Sequence, residues 1–184
     1  ESDFSLVNFK AVQEAQKTDL SDDQYTDVLN INTENNLRPS MEAGFHAILG
    51  KCVVHTHSVY VNTLACSKEG KEISCLLFPD SFWVPYSKPG IQLTNKIKKV
   101  LPKIIPKSGM VILENHGLII WDDGPEDMVE MNQSINNKIK EYLNFLDFKL
   151  HEHINIDDVP DIAKVLFPDQ VVFTLADNQT LSMN

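Results

Sequence analysis

Apolar and polar positions alternate through Phe4-Ser5-Leu6-Val7-Asn8-Phe9, the period-two pattern of a short strand. Residues 10–16 read as a brief helix or turn. Ser21 followed by Asp22 and Asp23 has the signature of a helix start, with a hydroxyl N-cap and acids in the first turn. That helix is expected to reach about residue 29, and the Asn-rich residues 30–38 predict a loop. Pro39-Ser40-Met41-Glu42 opens another helix, in which Phe45, Ile48 and Leu49 fall at helical spacing ahead of Gly50. Residues 53–57 read as a strand and 59–66 as the helix after it.

A polar loop at 69–72 leads into the apolar run 73–78, expected as a buried strand. A Pro-Gly loop at 87–90 precedes a helix over 91–101. The most apolar strand is 110–113, which Gly117 interrupts and 118–121 resumes as a hairpin or bulged pair. Asp122-Asp123-Gly124-Pro125 is a turn, and Pro125 with Glu126 and Asp127 begins the longest helix, to about residue 150. A short helix at 157–165 and a last strand at 171–175 complete the pattern. Strands and helices mix throughout, which places the chain in the α/β class.

Composition narrows the function. A length of 184 residues suggests one domain with enough chain to bury its own core. The 26 acids against 16 bases leave a net charge of −10, which argues against nucleic acid or an anionic membrane as the main partner. No apolar run has the length of a membrane span, and no signal peptide is visible. The cysteines are sparse and odd in number; Cys52 and Cys75 lie in or beside apolar runs, which reads as reduced cytosolic core thiols.

The chemistry is concentrated in histidines. In Val53-Val54-His55-Thr56-His57 the two imidazoles are i and i+2 on a strand and project to the same face, a spacing suited to one metal. A catalytic zinc takes three protein ligands and keeps one position open. His116, in Glu114-Asn115-His116-Gly117 at the end of an apolar strand, is placed to supply the third, and Gly117 permits an unusual backbone angle or a close approach. A single strand histidine is otherwise explained as a hydrogen-bonded core or edge residue. His151 and His153 read as a decoy, because i and i+2 on a helix do not share a face and the helix dipole already accounts for them. Glu42 shares a helix face with His46; it is a candidate acid/base, although the dipole alone also accounts for a carboxylate in a first turn. A (β/α)₈ barrel of the amidohydrolase kind needs about 250 residues, more than this chain has.

Three segments together, Arg38-Pro39-Ser40-Met41-Glu42-Ala43-Gly44-Phe45-His46, Val54-His55-Thr56-His57-Ser58 and Glu114-Asn115-His116-Gly117-Leu118, resemble the class II aldolase/adducin family in order and separation. Trp83-Val84-Pro85-Tyr86-Ser87-Lys88-Pro89-Gly90 and Leu166-Phe167-Pro168-Asp169-Gln170-Val171-Val172-Phe173 resemble a subgroup of it, the aldolase domain of bifunctional rhamnulose-phosphate aldolase/alcohol dehydrogenases. The resemblance implies a three-layer α/β/α sandwich around a mainly antiparallel sheet, a single domain over 1–184, and a cytoplasmic homotetramer. It implies His55, His57 and His116 as ligands of Zn²⁺ or another divalent transition metal, Glu42 as the acid/base, His46 as a supporting residue and Ser40 as a contact to substrate phosphate. Met41 departs from the serine seen in many members. The implied activity is cleavage or formation of a carbon–carbon bond in a sugar phosphate such as a ketose 1-phosphate. Epimerisation, dehydration, decarboxylation or a non-catalytic adducin-like assembly role are the alternatives. Family members carry a Gly-Asn loop and a Ser-Gly segment ahead of the strand resembling 4–9; neither occurs in these residues, so the N-terminal part of the domain is expected upstream of Glu1.

Overall fold

The computed structural model describes residues 4–35 and 37–147. Asn8 accepts a hydrogen bond from Ala11 N–H and caps α1 (Phe9–Ala15). A reciprocal capping box between Ser21 and Gln24 starts α2 (Asp22–Ile31), as the sequence predicts. Next come α3 (Ala43–His46), β1 (Cys52–Thr56), α4 (Val59–Ala65), α5 (Gly70–Leu77) and β2 (Phe82–Val84). They are followed by α6 (Ile91–Val100), β3 (Gly109–Leu113), β4 (Gly117–Asp122) and α7 (Met128–Phe145).

The strands form one sheet in the order β1-β4-β3-β2. β1 and β3 each pair antiparallel with β4, and β2 joins β3 in parallel. Alternation along the two central strands divides the core. Met110, Ile112, Leu118 and Ile120 pack with Val61, Leu64, Ile135 and Ile139 of α4 and α7. Val111, Leu113, Ile119 and Trp121 pack on the other side with Phe45, Leu93 and Ile97 of α3 and α6. Both faces of the sheet are thus covered by helices, which gives the three-layer α/β/α sandwich with a mainly antiparallel sheet.

Several expectations need correction. Residues 4–9 are not a sheet strand; only Val7 makes a bridge, to Thr33. Phe4, Leu6 and Phe9 are exposed, so the alternation has no buried face, and the Asn8 cap turns the backbone into a helix. The apolar run 73–78 is the end of helix α5. Ile73 and Leu77, i and i+4, pack on the core while Leu76 is 71% exposed, a helical period that a short apolar run cannot reveal by itself. Cys75 is accordingly exposed, not a core thiol. β2 escapes sequence reading because it is three residues long and is followed by Pro85. The long helix begins at Met128 instead of Pro125. The expected end of that helix near 150, the helix at 157–165, the strand at 171–175, the Leu166–Phe173 segment, His151 and His153 lie outside the described residues.

Thiol reactivity checks the α5 assignment. Cys52 and Cys66 are half-buried, and burial pushes the Cys66 thiol up to about 11, so little thiolate forms at neutral pH. Native protein treated with a chromogenic disulfide should show one fast thiol, Cys75, and release the other two on unfolding. Slow reaction at Cys75 contradicts the helix.

Candidate metal centre

The site lies where β1 ends beside the turn between β3 and β4. Thr56, the last residue of β1, pairs with Leu118, and His55 pairs with Ile119. His55 Nδ1 lies 2.8 Å from the Leu118 carbonyl oxygen. A carbonyl only accepts, so Nδ1 carries the proton and the Nε2 lone pair faces the site. This is the second contact that metal-binding histidines normally make. His57 Nε2 lies 2.8 Å from His55 Nε2.

The turn holding His116 is tied down on three sides. Glu114 N–H donates to Val84 O at 2.9 Å, Asn115 N–H to Ala65 O at 3.1 Å, and His116 N–H to Leu113 O at 3.1 Å. Glu114 Oε2 also accepts from Tyr86 N–H at 3.2 Å, which connects the loop after β2 to the same turn. Asn115 takes the left-handed conformation at φ 52°, which asparagine tolerates better than most residues. His116 is 2% exposed.

Gly117 is required for the close approach of these parts. A β-carbon there would come within 2.6 Å of Thr56 O, 2.8 Å of His57 Cδ2 and 3.3 Å of His55 Cε1. The anticipated role of Gly117 is therefore close approach.

Glu42 completes the group. The helix expected from Pro39 proves to be a single turn with Glu42 at its N-cap position, and the Glu42 side chain makes no capping bond. Its carboxylate turns to the histidines: Oε1 is 3.1 Å from His116 Nε2 and Oε2 is 3.5 Å from His55 Nε2. Burial pushes the Glu42 carboxyl up, but the hydrogen bond from His116 and the charges of the three histidines outweigh it and leave it below the usual carboxylate range. Burial also pushes His55 down to about 4, against the raising effect of Glu42, so the imidazole is neutral at pH 7 as a ligand must be.

The turn that presents Glu42 has its own cradle. A β-carbon on Gly44 would collide with Tyr25 Oη and come within 2.6 Å of Thr94 Oγ1 and 2.8 Å of Gln16 Nε2. Ser40 Oγ accepts from Glu42 N–H at 3.1 Å, and Ser40 is exposed beside this turn. His46 is not in the cluster; it stacks on Phe45 at 4.7 Å between centroids, and Phe45 in turn meets His55 edge-on at 5.4 Å.

One ring nitrogen each from His55, His57 and His116 lies within 4.8 Å of the others, so the three residues could bind a metal. Tetrahedral zinc with imidazole nitrogens at about 2.0–2.1 Å separates them by about 3.3 Å, within reach of this cluster. The ring nitrogen of His116 that faces the group is Nε2, 3.1 Å from Glu42 Oε1, while its buried Nδ1 has no hydrogen-bond partner among the described residues. The donors fit a divalent ion. The Leu118 carbonyl, Phe45 and the Tyr86–Glu114 bond were not foreseen, since none has a recognisable spacing in the sequence.

Residues 2–143 match the family described as the Class II Aldolase and Adducin N-terminal domain. The chain belongs to the class II aldolase/adducin family. It is 34% identical over 109 residues to the uncharacterized oxidoreductase YuxG of Bacillus subtilis (strain 168), a match covering 58% of this chain and 16% of that protein. The chain thus spans only about a sixth of that relative. The class II aldolase fold is also found in the N-terminal class II aldolase domain of a conserved protein from Thermoplasma acidophilum, with a TM-score of 0.66 and 21% identity over 76% of this chain and 66% of that one. No helix among the described residues is long and apolar enough to cross a membrane.

Two measurements test the geometry. The folded pKa of His55 lies below its unfolded value of 6.5, so between about pH 6.5 and 4 the unfolded state binds the extra proton. Stability of the metal-free protein should fall as pH drops through that window, and below it the depressed Glu42 carboxyl removes more. In urea titrations His55→Gln should flatten the upper part of this slope; an unchanged slope contradicts the assignment. Gly117→Ala should cost about 1–3 kcal/mol, because the clash with Thr56 O is with backbone and no side-chain rotation relieves it. It should also weaken metal uptake, read by equilibrium dialysis, since His55 and His57 must both move.

Proposed function

We propose that this chain is the metal-binding domain of a lyase that breaks or forms a carbon–carbon bond in a sugar phosphate such as a ketose 1-phosphate. The observation that carries the reading is the convergence of His55, His57 and His116 with the carboxylate of Glu42 at one largely buried point. Zinc, or another divalent transition ion, would be held by the three imidazoles and would supply Lewis acidity toward a carbonyl oxygen while keeping its full charge.

The chain's own residues divide the remaining work. His55 holds its orientation through the Leu118 carbonyl and His116 through the turn that carries it. Glu42 moves the proton to or from the substrate carbon next to the carbonyl. Its side chain is 17% exposed, which limits competing water, and its lowered pKa favours the ionised form that accepts a proton. Ser40 accepts from Glu42 N–H and still has its own O–H to offer a phosphate oxygen. A net charge of −10 does not oppose an anionic substrate when a dication dominates the local field. The three intact histidines weigh against a purely structural, adducin-like role.

Elemental analysis and product analysis of the full-length protein test this. About one zinc per chain is expected, with a triose or lactaldehyde released from ketose 1-phosphates. Glu42→Gln should keep the metal and lose about 10²–10⁴ in turnover, whereas His55→Ala should lose both. Stoichiometric metal retained by His55→Ala would sink the ligand assignment. An epimer, a dehydrated ketone or carbon dioxide as product would keep the site and replace the reaction.

A further inference from the structure

His55 and His116 are fixed by the sheet and its turn, but His57 lies one residue beyond Thr56, the last paired position of β1. Neither residue flanking it is left to solvent. Thr56 Oγ1–H donates to Asn132 Oδ1 at 3.3 Å, and Ser58 Oγ–H donates to Asn136 Oδ1. Asn136 Nδ2–H donates to the Asn132 backbone carbonyl at 2.7 Å, which settles the orientation of the amide and turns Oδ1 toward Ser58.

The two periods match. Thr56 and Ser58 are i and i+2 on extended backbone, about 6.6 Å apart, and point away from the face of His55 and His57. Asn132 and Asn136 are i and i+4 on α7, about 6 Å apart on one face. Two hydroxyls therefore meet two amides in register, while Ile135 and Ile139 anchor the helix in the core beside them.

Ser58 shows that this is not ordinary capping. It occupies the N-cap position of α4 with extended backbone, φ −62° and ψ 137°, yet makes no side-chain bond to the helix it precedes. A serine there normally accepts from the first turn; this one donates across to α7.

We propose that Asn132 and Asn136 are positioning residues that hold His57 in the metal-binding arrangement through Thr56 and Ser58. The inference rests on the three-histidine metal reading and adds α7 to the elements that build the site. It makes metal affinity depend on a helix that contributes no ligand.

The test is metal binding, independent of turnover. Zn²⁺ affinity is measured by chelator competition, and the visible spectrum of the Co²⁺-loaded protein reports ligand geometry. Ser58→Ala and Asn136→Ala should each weaken Zn²⁺ binding by about tenfold or more and alter the Co²⁺ spectrum. The double variant should be no worse than either single, because both remove one bond. Thr56→Val, which keeps the shape of the strand residue, should act in the same direction and serves if an Asn136 variant does not fold. Unchanged affinity and spectrum in Ser58→Ala and Thr56→Val, or fully additive losses in the double variant, would overturn the proposal. Wild-type protein that takes up neither ion overturns the metal reading itself, a result distinct from equal binding by wild type and variants.

Discussion

Where β1 runs out beside the β3–β4 turn, Thr56 pairs with Leu118 and the Leu118 carbonyl receives the proton of His55 Nδ1. That pairing decides most of what surrounds it. It brings residues about sixty positions apart to one end of the sheet, aims a ring nitrogen at the cluster, and leaves Gly117 opposite the Thr56 carbonyl with no room for a side chain. A one-residue slip would turn His55 to the α7 face and bury Thr56 in its place, because side chains alternate strictly along a strand. The hydrophobic faces of β3 and β4 fix the register, so the core and the site are set by the same contacts.

The electrostatic character of the cluster follows from its burial. Burial favours the neutral form of the His55 imidazole, and a carboxylate sits beside the histidines with little water to stabilise it. Such a group is costly in isolation and becomes favourable when a cation joins it, which couples the stability of this corner of the fold to ligand binding.

Much of the site was legible because its chemistry is local: a His-x-His pair needs only strand alternation, and His116 needs only a strand end and a glycine. The capping box at Ser21 and the apolar hairpin strands were readable for the same reason. The failures share a cause. Residues 4–9 alternate, but Phe4, Leu6 and Phe9 stay exposed while Val7 packs on a helical cluster, and 73–78 are apolar without a period long enough to separate helix from strand. In both cases the neighbour decides, not the segment. Glu42 was read both as a carboxylate favoured by a helix dipole and as a candidate acid/base; its placement beside His116 and His55 depends on a single-turn helix whose length the pattern overstated. Asn132 and Asn136 carried a faint signal, two amides at i, i+4 on the longest helix, but their partners arrive from the end of β1 and the start of α4.

The cradle around Gly44 has a mechanical consequence. Gln16 ends α1, Tyr25 lies on α2 and Thr94 on α6, so three helices touch the turn from which the Glu42 carboxylate extends. The helices that precede the sheet are therefore part of the mounting of the Glu42 carboxylate, not an ornament on the outside of the sandwich. A lever that reaches any of the three, however far from the histidine cluster, would tilt the carboxylate against the imidazoles.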